Sequence, residues 1–293
     1  MKHKIHITLI LIFIFLFAQI IGLGIINKYI DYSKTKETGN VAFASLPYNI
    51  ERPQVAEQFS FIYIIFAIII ATIILLMIMK FRAMNLWRIW FFLAVYTCLI
   101  VAFAPFIGQF WAAAVSLIFS IWKVFKPNIY VHNLTELFIY GGLAAIFVPI
   151  MNLFAAFAML FLISAYDAYA VWKSKHMIKM AKFQTKSKIF AGLAIPYKIP
   201  KVPKLKKPAK FKIKTAVLGG GDIGFPLMFA GVVMKNMVLT DPAISFFKVL
   251  IIPLFATIAL AILLWKAEKD KFYPAMPFLT AGCIIGYLIT LVL

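Results

Sequence analysis

Acidic residues are few in this chain: ten Asp and Glu stand against thirty Lys and Arg in 293 residues, for a formal net charge of +20. Charge of either sign is scarce, at 14%, where an ordinary soluble domain carries about 25%. Only two cysteines occur, Cys98 and Cys283, both inside apolar runs. They suggest neither a disulfide framework nor a zinc site. The four histidines form no HExxH stretch, and His132 and His176 read as loop residues; zinc-protease chemistry has no motif here. What the chain has in abundance is apolar surface, 64% hydrophobic residues with a mean hydropathy of +0.95. Soluble globular and disordered chains are both excluded, since neither carries so much. The composition predicts an all-α polytopic membrane protein in the cell membrane. In a soluble protein the basic excess would point to nucleic acid. Here it reads as loops held on the cytoplasmic side, and no nucleic-acid partner is expected.

A spanning helix needs about 20 mostly apolar residues. Nine runs qualify: 5–26, 59–79, 87–104, 106–122, 134–149, 151–172, 215–235, 243–265 and 273–293. The first exceeds the ~7–15-residue apolar region of a signal peptide and reads as an uncleaved spanning helix. The third and fourth runs meet near Pro105 and the fifth and sixth near Pro149, where a loop proline would make a tight turn. Basic loops alternate with neutral ones along the chain. Lys80, Arg82 and Arg88 follow the second run, Lys123 and Lys126 the fourth, and Lys266, Lys269 and Lys271 the eighth. The segment 173–214 holds fourteen lysines and no acid. This alternation places the N-terminus inside and the C-terminus outside. The chain divides into a six-helix part, 1–172, a basic Lys/Pro-rich cytoplasmic loop, 173–214, and a three-helix part, 215–293. Within the loop, 173–190 reads as an amphipathic segment on anionic lipid. Pro196, Pro200, Pro203 and Pro208 make the remainder an extended linker.

Of the ten acids, eight lie in loops or near the ends of runs; two do not, Asp167 in the sixth run and Asp222 in the seventh. A carboxylate at that depth costs roughly 2.5–3.5 kcal/mol to insert and is a functional candidate by default. Helical rise puts Asp167 ~9 Å and Asp222, if its segment is helical, ~12 Å from the inner face. Facing each other, one carboxyl would keep a proton and the pair would titrate as a unit. That state suits acid–base hydrolysis of an amide, one carboxylate activating water while the other acid polarises the carbonyl. Gly219, Gly220 and Gly221 precede Asp222 and predict weakened or unwound helix. Irregular backbone at depth is tolerated only against protein or a wet cavity. Pro274 and Pro277 flank Ala275-Met276 at the start of the last run and free nearby carbonyls.

Tyr166-Asp167, Gly219-x-Gly221-Asp222 and Pro274-Ala275-Met276 occur in that order on runs six, seven and nine. The combination resembles the presenilin and signal peptide peptidase family of intramembrane aspartyl proteases, and its archaeal members in particular. That family carries Tyr-Asp, Gly-x-Gly-Asp (GxGD) and Pro-Ala-Leu motifs in nine spans. The resemblance implies catalysis by Asp167 and Asp222 and motif support from Tyr166, Gly219, Gly220 and Gly221. It implies a substrate-positioning role for Pro274, Ala275 and Met276, with Met276 departing from the family leucine. The implied activity is endopeptidase cleavage of transmembrane protein substrates, without cofactor or metal. The lysine-rich loop favours the presenilin-like orientation. Three other readings stand beside it. An ion- or proton-coupled transporter could use the same aspartates. A prepilin-type peptidase also carries a Gly-x-Gly-Asp motif. A catalytically dead scaffold is the third.

Overall fold

The computed structural model describes residues 5–81, 83–174, 190–196, 215–242, 244–268 and 273–293. Most of the expected amphipathic segment and proline linker (175–189 and 197–214), with Arg82, Lys269 and Lys271, lies outside the described residues. Helices dominate: α1 Ile5–Tyr29, α2 Tyr32–Thr38, α3 Ser60–Lys80, α4 Met84–Ile107, α5 Gln109–Phe125, α6 Ile129–Phe147, α7 Leu153–Tyr169, α8 Gly220–Val238, α9 Ser245–Val249, α10 Ile251–Lys266 and α11 Met276–Val292. Among the described residues six helical stretches are long and apolar enough to cross a membrane, built on α1, α3, α4, α6, α7 and α9–α10, and α5 and α11 are shorter apolar helices.

Helix α8 is the hub. It packs against α1, α6, α7, α9, α10 and α11, and thirteen of its nineteen residues are buried. A helix enclosed by protein need not be as apolar as one facing lipid, which explains why α8 is the least hydrophobic of the long helices. Helix α3 is its opposite, with most of its side chains outside the protein interior. The C-terminal pair α10–α11 approaches closely through glycine. A Cβ on Gly286 would stand 2.7 Å from the Ile252 Cα, and one on Gly282 2.7 Å from the Phe255 carbonyl oxygen, the small-residue packing of membrane helices.

Three details depart from the sequence reading. Pro105 does not make the turn: α4 runs through it to Ile107 and breaks at Gly108, which has φ +78°. Proline deprives the Val101 carbonyl of its helical donor, and the buried Tyr29 hydroxyl fills the vacancy at 2.7 Å. Lys123 and His132 are not loop residues. Helix α5 extends to Phe125 and α6 begins at Ile129 behind an Asn128 cap, whose side chain accepts from the Tyr130 N–H. Finally, 215–219 is not helical. It is strand β2 (Thr215–Gly219), paired antiparallel with β1 (Gly192–Pro196) inside the predicted linker. Pairing satisfies backbone groups that the glycines make expensive to hold in a helix. The turn at Pro149 is as expected: a 3₁₀ turn, Val148–Ile150, leads to Asn152, whose side chain caps α7 through the Ala155 N–H.

Candidate active site

Asp167 lies at the C-terminal end of α7, 4% exposed. The helix continues past it as a π-helical turn, Ala170–Ser174, a distortion common at functional positions. Asp222 stands in the first turn of α8, half-buried. Helices α7 and α8 pack side by side, and the two carboxyl groups are close enough for the charge of one to act on the other.

Each carboxylate lies against the backbone of a different motif. The Met276 N–H donates to Asp167 Oδ2 at 3.1 Å. The proline-flanked turn thus presents a free N–H group to Asp167, a contact that the sequence did not suggest. Asp222 is the third residue of α8, and its Oδ2 lies against Gly219, the helix N-cap, where the acid of a capping box sits. Glycine at 219 leaves room for this: a Cβ there would stand 3.1 Å from Asp222 Oδ2. At 220 a Cβ would meet the Tyr140 hydroxyl oxygen at 2.7 Å, and at 221 the Phe225 ring at 3.0 Å. Pro226 has no N–H to offer the Asp222 carbonyl. One residue on, the buried Gln19 of α1 donates from Nε2 to the Ile223 carbonyl at 2.8 Å. Tyr166, beside Asp167, is 37% exposed. The structure therefore gathers Asp167, Asp222, the three glycines and Ala275-Met276 in one place.

The strands border this place. The Gly220 N–H donates to the Ala191 carbonyl, which fixes the parity of the ladder. Leu193–Leu218 and Ile195–Ala216 are then the hydrogen-bonded pairs, because such pairs alternate along antiparallel strands. The backbone groups of Val217 consequently point to the outer edge of β2, and Val217 is 38% exposed. Those of Gly192 and Ala194 point the other way, to α6.

Sequence reasoning missed a second buried cluster, on α5 and α6. Lys123 and Glu136 form an ion pair at 2.7 Å with each side chain 1% exposed. Their signal was weak because they lie 13 residues apart across a turn, beyond the helical spacing that reveals pairs within one helix. A basic residue near a span's end reads as a topology anchor; this one is part of the interior. Among the described residues no group of three or more His, Cys, Asp or Glu could hold a metal ion.

Residues 39–293 match the family described as signal-peptide peptidase, presenilin aspartyl protease. The chain belongs to that family, and it is a multi-pass membrane hydrolase of the intramembrane aspartyl protease class. Two solved structures of a presenilin family intramembrane aspartate protease share the fold. One, in space group P2, has a TM-score of 0.60 at 19% identity, covering 96% of each chain. The other, in C222, has a TM-score of 0.58 at 19% identity, covering 95% of this chain and 94% of that one. No curated protein matches the chain.

Proposed function

We propose that Asp167 and Asp222 are the catalytic dyad of this protease, the aspartate of the Gly219-x-Gly221-Asp222 motif acting with that of Tyr166-Asp167. The observation that supports the reading is the packing of α7 against α8, which leaves the two carboxyl groups within electrostatic reach of each other. Two carboxyls in a site of low dielectric share one proton. The ionised one takes a proton from water as it attacks the scissile carbonyl. The protonated one donates to the carbonyl oxygen, and the collapse of the tetrahedral adduct returns a proton to the leaving amine.

A peptide bond inside a helix is shielded by its own hydrogen bonds, so a transmembrane substrate must unwind before it is cut. The outer edge of β2 offers the unwound strand a partner at Val217, five residues before Asp222, by strand addition. The backbone contact of Met276 favours a role in orienting Asp167. Substrate positioning by the Pro274-Ala275-Met276 turn would follow from its place beside that carboxylate. Nine spans, with the N-terminus inside and the C-terminus outside, complete the reading. So does the division at 173–214, whose lysines would rest on anionic lipid.

The test is cleavage of a single-span substrate by reconstituted wild-type protein and by Asp167→Asn and Asp222→Asn, read by mass spectrometry. Cuts inside the apolar stretch that vanish in both folded variants are expected. Full cleavage by either variant removes the dyad.

A further inference from the structure

The side chains of α6 that face β1 do more than fill space. His132, Asn133, Glu136 and Tyr140 recur at the spacing of one helix face, and the first three occupy the edge of β1 opposite β2. Asn133 makes a two-pronged contact: its Nδ2 donates to the Ala194 carbonyl at 2.9 Å and its Oδ1 accepts from the Ala194 N–H at 3.0 Å. The side-chain amide thus replaces a neighbouring strand. Gly192 is held in the same manner by two residues. Its N–H donates to Glu136 Oε2 at 3.1 Å, and its carbonyl lies 2.7 Å from His132 Nε2.

Charge fixes the polarity of this clamp. Lys123 Nζ contacts Glu136 Oε1 at 2.7 Å, Thr135 Oγ1 at 3.0 Å and His132 Nδ1 at 3.2 Å. A lysine ammonium only donates, so Nδ1 accepts, and Nε2 carries the proton given to Gly192. Glu136 Oε2 also accepts from the Tyr140 hydroxyl. Tyr140 in turn stands over Gly220, where a Cβ would lie 2.7 Å from its oxygen.

Each clamped residue of β1 is paired with a residue on the approach to Asp222: Gly192 with Gly219 and Ala194 with Val217. Gly219 is the N-cap of α8, and Asp222 Oδ2 lies against it, 3.1 Å from where a Cβ would stand. From this geometry we propose that His132, Asn133 and Glu136, with Lys123 setting their polarity, are positioning residues that clamp the β1–β2 ribbon to α6 and so fix Asp222 and the substrate-accepting edge of β2. They touch no substrate and act through the strand. The proposal rests on the dyad reading for its catalytic half; the clamp itself does not depend on it.

Asn133 is the residue to change, because it is half-buried and outside the ion pair. Wild-type and Asn133→Ala protein, reconstituted with a single-span substrate, are compared by hydrogen exchange and by cleavage. In the variant, the amides of 190–196 and 215–219 exchange about tenfold faster or more, the loss of two ordinary hydrogen bonds, while α10 and the melting temperature are unchanged. kcat falls by up to about 100-fold, as a displaced reacting group requires, and the cut sites in the substrate spread over neighbouring bonds. Asn133→Gln, which keeps the amide, restores part of the protection and of the cleavage register. Unchanged exchange in the two strands overturns the clamp. Faster exchange with wild-type kcat and cut sites overturns its catalytic role. A wild-type protein that cuts nothing defeats the protease reading instead, and the exchange comparison still decides the clamp.

Discussion

Glycine 220 is the position where one added methyl group tests the site. The Cβ would meet Tyr140 at its hydroxyl oxygen (2.7 Å) and at Cε1 (3.1 Å), and Tyr140 is buried and tied to Glu136. The ring cannot swing aside without leaving that carboxylate. Gly220→Ala is therefore expected to lower the cleavage rate of a reconstituted single-span substrate by about 10-fold or more, through displacement of Asp222. Adding Tyr140→Phe removes the nearer clash and should recover part of the loss. Equal rates for the single and double variants would show that the tyrosine is not the obstacle. At this scale the sequence was informative where chemistry is concentrated in a few letters. An aspartate inside an apolar run has no cheap explanation, so Asp167 and Asp222 stood out. Glu136 did not, although it is 1% exposed. It lies near a span's end, its partner is on another helix, and one residue cannot show that its charge is compensated elsewhere. Lys235 is a parallel case. It reads as a loop lysine, yet its amine is 2.8 Å from Glu57 Oε1 and also donates to the Pro149 and Met151 carbonyls.

Among the elements, the apolar runs were the legible part, because a membrane asks every span for the same length and the same lack of charge. Their ends were less so. Pro105 would stop a helix whose freed carbonyl had no other donor, and only the fold brings Tyr29 to Val101. Strand β2 was hidden for a similar reason: whether 215–219 coils or extends depends on a partner, 192–196, across a long basic segment. The glycine run announced weak helix without naming the alternative. The α10–α11 contact carries a prediction of its own. Gly282 and Gly286 face backbone atoms of α10, which cannot rotate away as a side chain can. Gly286→Leu should push α11 outward and loosen the turn that brings the Met276 N–H to Asp167. Cleavage should fall by about 10-fold or more, and the melting temperature should drop, since overpacking costs typically 1–3 kcal/mol. Gly24, with no atom within 4 Å of its added Cβ, is the control: Gly24→Ala should leave both readouts near wild type.

For the whole molecule, the arrangement in the membrane is the property that the sequence argued most directly and the fold partly reweighs. Orientation rests on basic residues exposed to the cytoplasmic leaflet. Lys123 is spent inside the protein on Glu136 and Lys235 on Glu57, so neither serves as an anchor. The loop between α5 and α6 then retains Lys126, which is exposed. The main asymmetry comes from Lys80, Arg82 and Arg88 and from the fourteen lysines of 173–214, which α3 to α4 and α7 to α8 would hold on one face. The same face would carry both aspartates near the inner ends of α7 and α8. Cysteine labelling can test this directly, because Cys98 and Cys283 are both buried and give little background. In sealed right-side-out vesicles, Leu293→Cys, at a position 68% exposed, should react with an impermeant maleimide before lysis. Lys126→Cys should react only after lysis. The reverse pattern would put the aspartates near the outer face and turn the large basic segment outward, against the field of the anionic leaflet. Labelling of both positions from one side would require an even number of crossings between them, and the nine-span count would fail while the site geometry stood.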